Sequence, residues 1–216
     1  MFNKVYLGAT PISKIYLGDV PIKYNSEEII PENIVAVYTA KSKDVRPFST
    51  EGLTDEKYIV KNNDDGTYTI TITSLTPPSY IDFYLCSHLC TIEYINTTNF
   101  TRVGRMFSNC PLLKSVTMPD LTGTFLLSDM FYNCPILTYV DIRNWNVAYS
   151  DEYITFANMF SDCTSLEELR LDNWDDITPI IRSVDFPTFT SGTHIIYCKY
   201  KATHLDAPQG WVYSFV

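Results

Sequence analysis

The sequence predicts an α+β, β-rich protein in which an N-terminal β-hairpin and β-sheet region leads into a short repeat solenoid with a C-terminal β cap. Three observations carry that reading. MFSNCPLL at 106–113 returns as MFYNCPIL at 130–137 and as MFSDCTSL at 159–166. VYLGATPISK at 5–14 is followed, one ten-residue step on, by IYLGDVPIKY at 15–24. Elsewhere lie runs of β-branched and aromatic residues, IVAVYTA, YTITITSL and THIIYCKY, bounded by Asn, Asp, Gly and Pro.

Composition sets the frame. With 216 residues, 45% of them hydrophobic, the chain can bury a sizeable core in one or two domains. The 16 Tyr and 12 Phe, against only 19% charged residues, argue against wholesale disorder. A formal charge of −9 with no Lys/Arg cluster repels phosphate backbones, so no nucleic-acid partner is expected. The opening MFNKVYLGATPISK lacks the apolar core and small-residue cleavage site of a secretory signal. No run approaches the ~20 apolar residues of a membrane span. The expectation is a chain that folds in a cytoplasm, with reduced thiols and no membrane insertion.

Residues 1–24 read as two short hairpins in succession, an attachment segment. In each copy a β-branched residue, Tyr and Leu favour a strand, Gly8 or Gly18 permits a tight turn, and Pro11 or Pro21 disfavours a central strand. Strands this short are marginal alone and call for a partner surface, in this chain, a sister copy or another protein. Residues 25–80 read as a β-rich domain. Its turn, Asn62-Asn63-Asp64-Asp65-Gly66, is made of residues that tolerate positive φ and lacks the alternate ligands and closing Glu of a calcium loop. Pro77-Pro78 marks its end.

From 81 to 216 the longer repeat governs. Aligned on cysteine, the copies are FYLCSHLCTIEYI (83–95), FSNCPLLKSVTMP (107–119), FYNCPILTYVDIR (131–143) and FSDCTSLEELRLD (160–172). Cys86, Cys110, Cys134 and Cys163 thus recur at steps of 24, 24 and 29. The latter half of each copy alternates, placing Val116 with Met118, Val140 with Ile142 and Leu169 with Leu171 on one face of a strand. The earlier half suits a short helical turn: Met106 and Cys110, like Met130 and Cys134, stand at i and i+4, and Ser128 and Asp129 are placed to cap it. One such unit cannot cover its own apolar face, whereas stacked units bury a continuous interior.

That interior is expected to hold Phe83, Cys86 and Leu89 from the first copy and Met106, Phe107, Cys110 and Leu113 from the second. The third gives Met130, Phe131, Cys134 and Leu137, and the fourth Met159, Phe160, Cys163 and Leu166. One cysteine per unit reads as a small hydrophobe filling a ladder. Structural zinc takes close pairs such as C-x-x-C, so no metal is expected from cysteines a full repeat apart. Coils ~5 Å apart leave a disulfide between adjacent rungs open. Cys90 and Cys198 fall outside the ladder, and the runs at 193–200 and 209–216 read as strands that cap the last coil.

The pattern M-F-x-x-C-x-x-L-x-x-L-x-L followed by Asn-Trp, as at Asn144-Trp145 and Asn173-Trp174, resembles the BspA-type leucine-rich repeats over residues 83 to 176. It departs after the Trp, where NVAYSDEYIT and DDITPIIRS replace the usual D-T-S-N-V-T stretch. The resemblance implies a leucine-rich-repeat solenoid used for adhesion or protein contact, not catalysis. The tandem (V/I)-Y-L-G-x-x-P-I near the start resembles small virion proteins of tailed phages of gut bacteria, tail and fibre components among them. Such proteins are made in the host cytoplasm and released by lysis, without an export signal.

Catalytic chemistry is not visible. His88, His194 and His204 are scattered, and no H-E-x-x-H, G-x-S-x-G or P-loop occurs. Glu27-Glu28, Glu167-Glu168 and Asp175-Asp176 are chain neighbours that diverge in direction and read as solvated faces. No enzyme activity and no cofactor are expected. The extra residues of the third repeat, around 148–155, should form a loop on one face. Tyr149, Asp151, Glu152 and Tyr153, with Trp145 and Trp174 at repeat ends, form the candidate contact surface. The tryptophans read either as platforms for sugar rings or as packing residues.

The expected function is a non-enzymatic structural or adhesive component of a phage virion: a fibre, tail or capsid-decorating protein. Its hairpins would anchor it to other virion proteins or to sister chains in a homo-oligomer, a trimer being the attractive count. The solenoid would face outward to a host-surface protein or glycan. The alternatives are a bacterial cell-surface adhesin of the same repeat type and, in another class, a glycan-active hydrolase.

Overall fold

The computed structural model describes residues 5–7, 10–12, 16–17, 20–21, 34–47, 57–74, 80–97, 99–101, 103–118, 121–123, 127–147, 156–174, 180, 186–199 and 206–216. Two ribbons come first. Strand β1 (Val5–Leu7) pairs antiparallel with β2 (Thr10–Ile12), and β3 (Tyr16–Leu17) with β4 (Val20–Pro21), as the tandem repeat predicts. Then follow β5 (Ile34–Ala40), β6 (Lys57–Asn62), β7 (Tyr68–Thr73), β8 (Leu89–Ile95), β9 (Ser115–Thr117) and β10 (Thr122–Gly123). The remaining strands are β11 (Tyr139–Asp141), β12 (Asn146–Val147), β13 (Glu168–Leu171), β14 (His194–Cys198) and β15 (Trp211–Phe215).

Nine of these form one sheet in the order β15-β14-β13-β11-β9-β8-β5-β7-β6, while β10 and β12 make a separate parallel pair. Pairing is antiparallel from β6 to β8 and parallel from β8 to β15. Strand β5 is the hinge of this architecture, because it pairs with β7 on one side and β8 on the other. The one sheet therefore takes strands from both the 34–74 and the 80–97 segments; Pro77-Pro78 lie outside the described residues. One inner row crosses it: Ile70, Tyr38, Ile92, Val116, Val140, Leu169, Ile196 and Tyr213 are successive register partners. The buried core is a single cluster from Val35 to Trp211.

The β6–β7 hairpin shows why its turn residues are what they are. Asp64 and Gly66 take positive φ, 60° and 81°, which Asp tolerates and Gly adopts freely. The Asp65 carboxylate accepts from Thr67 N at 2.8 Å and Thr67 Oγ1 at 2.5 Å, and these bonds hold it below the usual carboxylate range.

Each repeat was expected to open with a helical turn; the structure corrects this. No helix is delimited among the described residues, and only Ile180 stands in helical conformation. The segments before the strands are consecutive tight turns closed by i→i+3 bonds, such as Tyr132 N to Asp129 O and Leu137 N to Cys134 O, both 3.1 Å. What prevents a helix is a pair of left-handed residues per coil. Arg105 and Asn109, Asp129 and Asn133, and Asn158 and Asp162 all have φ between 54° and 64°, as does Leu85 in the first copy. Asp129 is thus a left-handed turn residue and not a helix cap.

Reversing the chain twice per coil turns its backbone donors toward the next coil. Phe83 N donates to Met106 O (2.8 Å), Phe107 N to Met130 O (3.0 Å) and Phe131 N to Met159 O (3.0 Å). The turn side of the solenoid is hence laddered like the strand side, which satisfies groups that burial would otherwise leave unpaired.

Side chains stack in the same register. Phe83, Phe107, Phe131 and Phe160 form a column with centroid spacings of 6.0, 5.5 and 5.4 Å and interplanar angles of 17°, 9° and 3°. Tyr38 closes one end edge-on at 4.9 Å and Phe186 tilts onto the other at 5.8 Å. Beside it runs the thiol ladder. Cys110 Sγ donates to Phe83 O at 3.1 Å, Cys134 Sγ to Phe107 O at 3.1 Å and Cys163 Sγ to Phe131 O at 3.0 Å. Each cysteine therefore packs as a hydrophobe and also ties its coil to the preceding one. All six cysteines are free thiols in this structure. The expected interior residues are buried, except Cys86, which is half-buried at the first rung.

Strands β14 and β15 extend the parallel ladder by two strands. The turn into β15 needs Gly210: its φ is 87°, and a β-carbon there would sit 2.5 Å from Phe189 O.

Candidate interaction surface

The face of the sheet opposite the core is set by alternation. Residues flanking the inner row point outward, and the parallel register lines them up. The first outer row runs Thr69, Thr39, Thr91, Ser115, Tyr139, Glu168, Ile195 and Val212; the second includes Thr117, Asp141, Arg170, Tyr197 and Ser214.

Chemistry changes along this face. At the β5–β9 end it is hydroxylic, with Thr39 Oγ1 and Thr91 Oγ1 sharing a hydrogen bond of 2.7 Å. In the middle it is charged. Arg143 Nε donates to Asp141 Oδ1 at 2.8 Å and its Nη2 to Oδ2 at 2.5 Å, a bidentate pair, while Tyr139 OH donates to Asp141 Oδ2 at 3.2 Å. One coil on, Arg170 Nε donates to Asp172 Oδ2 at 2.8 Å and Nη1 to Glu168 Oε1 at 3.4 Å. The Arg170 guanidinium also lies 4.1 Å over the Tyr197 ring, a cation–π contact. At the β14–β15 end the face becomes apolar and aromatic, with Ile195, Tyr197 and Val212.

Electrostatics keep the middle band charged but nearly neutral in sum. The Asp141 carboxylate holds Arg143 above its ordinary range, and Asp172 does the same for Arg170. Burial, then the neighbouring Asp141 charge, pushes Tyr139 up, so its hydroxyl stays a donor. Asp141 is buried, and its side-chain partners Tyr139 and Arg143 lie on its own strand and in the turn that follows it. The band is thus a preset platform of two guanidiniums, three carboxylates and two tyrosines on a rigid sheet.

The expected contact residues fall elsewhere. Trp145 and Trp174 are interior, 3% and 6% exposed, which corrects their assignment to a contact surface. Trp174 Nε1 donates to Ile142 O at 2.8 Å and its ring meets Phe156 at 6.4 Å. Neither indole offers a face to a sugar ring. Tyr149, Asp151, Glu152 and Tyr153 lie outside the described residues, as do His204, Glu27-Glu28 and Asp175-Asp176. His88 is exposed and shares a 3.0 Å hydrogen bond with Ser87 Oγ, whereas His194 is buried against Phe189 and Trp211. Among the described residues no group of three or more His, Cys, Asp or Glu is placed to hold a metal ion, and no helix is long and apolar enough to cross a membrane. The Tyr139–Arg170–Tyr197 band was missed because its residues read as the polar half of an alternating strand. Only the parallel register shows that they adjoin.

Residues 79–180 match the family model of the BspA type leucine rich repeat region, in 6 copies. No curated protein and no solved structure matches the chain. The matched span ends before β14 and β15, which carry the ladder onward without the repeat motif.

Proposed function

We propose that the protein is a non-enzymatic, adhesin-like binding scaffold that engages a protein partner through the outer face of β11, β13 and β14. The observation that carries this reading is the preset band of Tyr139, Asp141, Arg143, Glu168, Arg170 and Tyr197 beside apolar Ile195 and Val212. Rigid aromatic and Arg anchors next to an apolar patch are the composition of binding hot spots. The match to a repeat type associated with protein contact and bacterial surfaces supports it.

The finer reading is a place on a phage particle, with the β1–β4 hairpins attaching the chain and the solenoid turned outward; the tandem repeat at 5–24 supports it. The second reading, a bacterial surface adhesin, is favoured by the repeat match itself. The test is retention of the purified chain on virions and on bacterial envelopes, wild type against Arg170→Ala and Tyr197→Ala. Loss of retention with an unchanged melting curve is expected, and the material that retains the wild type separates the two readings. Retention by neither, or retention indifferent to both substitutions, overturns the proposed face.

A further inference from the structure

Both guanidiniums of the outer band are already committed. Arg143 holds both oxygens of Asp141, and Arg170 both oxygens of Asp172, so each is balanced by one carboxylate. Two carboxylates are left over. Glu168 receives only Arg170 Nη1, at 3.4 Å, from a guanidinium that Asp172 already balances. Glu93, on β8, receives neither a hydrogen bond nor an ion pair among the described residues. Its position is nonetheless built. Ile92 pairs with Tyr38 and Tyr94 with Val37, so Glu93 is the extra residue of a β-bulge. Ile92 and Ile95 are buried, and Glu93 is exposed on the outer face. A bulge gives up ladder pairing to re-aim a side chain. The protein packed around Glu93 pushes its carboxyl above the usual range, as befits a carboxylate with no cation beside it.

We infer that the partner of this face is a basic protein segment, an extended stretch that sets one Lys or Arg on Glu93 and another on Glu168. The inference rests on the outer face being the binding surface and adds the chemistry of what binds there. Charge complementarity selects the occupant. Two guanidiniums against four carboxylates leave the face negative, on a chain of net charge −9. An acidic partner would meet like charge, and a neutral one would cover two carboxylates without pairing them. Spacing selects the extended form. Strands β9 and β11 lie between β8 and β13, which sets the two carboxylates roughly 15 Å apart at ~4.8 Å per strand. An extended chain rises ~3.3 Å per residue with alternate side chains on one face, so basic residues at i and i+4 span about 13 Å. Their flexible stems cover the difference. In the same direction i+6 falls on Ile195, the β14 partner of Glu168, and calls for an apolar residue.

Fluorescence anisotropy of the full chain with a labelled Lys-Ser-Thr-Ser-Lys-Ser-Leu peptide, and with its counterpart carrying Glu for Lys, tests this. The lysine peptide is expected to bind, more weakly as salt rises, and the glutamate peptide not to bind. Glu93→Gln and Glu168→Gln should each weaken binding roughly two- to fivefold, the range of exposed ion pairs, at an unchanged melting curve. Asp44→Asn, which removes an exposed carboxylate from the turn after β5, should change nothing. Weakening by Arg170→Ala and Tyr197→Ala with indifference to both glutamines overturns the cation sites and leaves the face standing. Indifference to all four overturns both. Equal binding of the glutamate peptide, or an equal loss with Asp44→Asn, overturns the inference by showing unspecific attraction. So does the absence of lysine-peptide binding up to about 1 mM, while retention on virions or envelopes still tests the face.

Discussion

Leu85 stands where the other coils place Asn109, Asn133 and Asp162, at a φ of 60° that costs an ordinary L-residue roughly 1–2 kcal/mol. Its side chain is 59% exposed, so little packing is lost on replacing it. Leu85→Gly should stabilise the protein by about 1 kcal/mol, read as a higher urea midpoint at unchanged slope. The converse holds at Asn133, whose Nδ2 donates to Asn109 Oδ1 at 2.8 Å. Asn133→Ala should cost about 1–2 kcal/mol, and Asn133→Gly less, because glycine keeps the left-handed backbone and forfeits only the ladder bond. Equal losses for the two would contradict a backbone origin. The signal was legible in part: Asn or Asp precedes three of the four ladder cysteines. It was obscured because Met and Cys at i and i+4 are also helix spacing, and spacing alone does not show which turn the chain takes.

At the scale of one coil, the thiol and the ring beside it act together. Phe131 sits between two ring neighbours in the middle of the column, so Phe131→Ala should cost about 3–5 kcal/mol in chemical denaturation. A much smaller loss would mean the column does not bear on stability. Burial pushes the Cys134 thiol up to about 12 and the Cys110 and Cys163 thiols well above their ordinary value. An unfolded thiol ionises near ~8.5. Their raised values stabilise the fold fully below that pH; above it the unfolded chain gives up protons that the fold retains. Stability should therefore fall as pH rises from about 8.5 toward 12, by up to about 1.4 kcal/mol per pH unit for each such thiol. A flat urea midpoint across that window would contradict burial of the ladder. The burial itself could be read from one cysteine per repeat, but the bond to the preceding Phe carbonyl could not. It depends on where the turn sets that carbonyl.

Across the whole molecule, β5 joins residues that carry no repeat motif to those that do. Tyr38 caps the phenylalanine column, lies in the inner row and donates from its hydroxyl to Val45 O at 2.8 Å. Tyr38→Ala should consequently lower the stability of the solenoid and the β5–β7 region together, in one hydrogen-exchange or denaturant transition. Two separable transitions would show that the sheet is not a single cooperative unit. Repeats, strands and hairpins were legible because each has a local period. The union of β5 with β8 was not, since an antiparallel pairing between unlike segments leaves no period to read. The outer band was hidden for another reason: its residues read as the polar half of alternating strands, and only the parallel register brings them together.

The central claim is that coils lay Cys110, Cys134 and Cys163 into one dry interior, bonded to the coil before. Site-resolved thiol labelling of the native chain, with mass spectrometry against a denatured control, tests it most directly. All six cysteines should label in denaturant, whereas natively these three should be protected to the extent of the global unfolding free energy. Rapid native labelling of any of the three, at the rate of an exposed thiol, would contradict it.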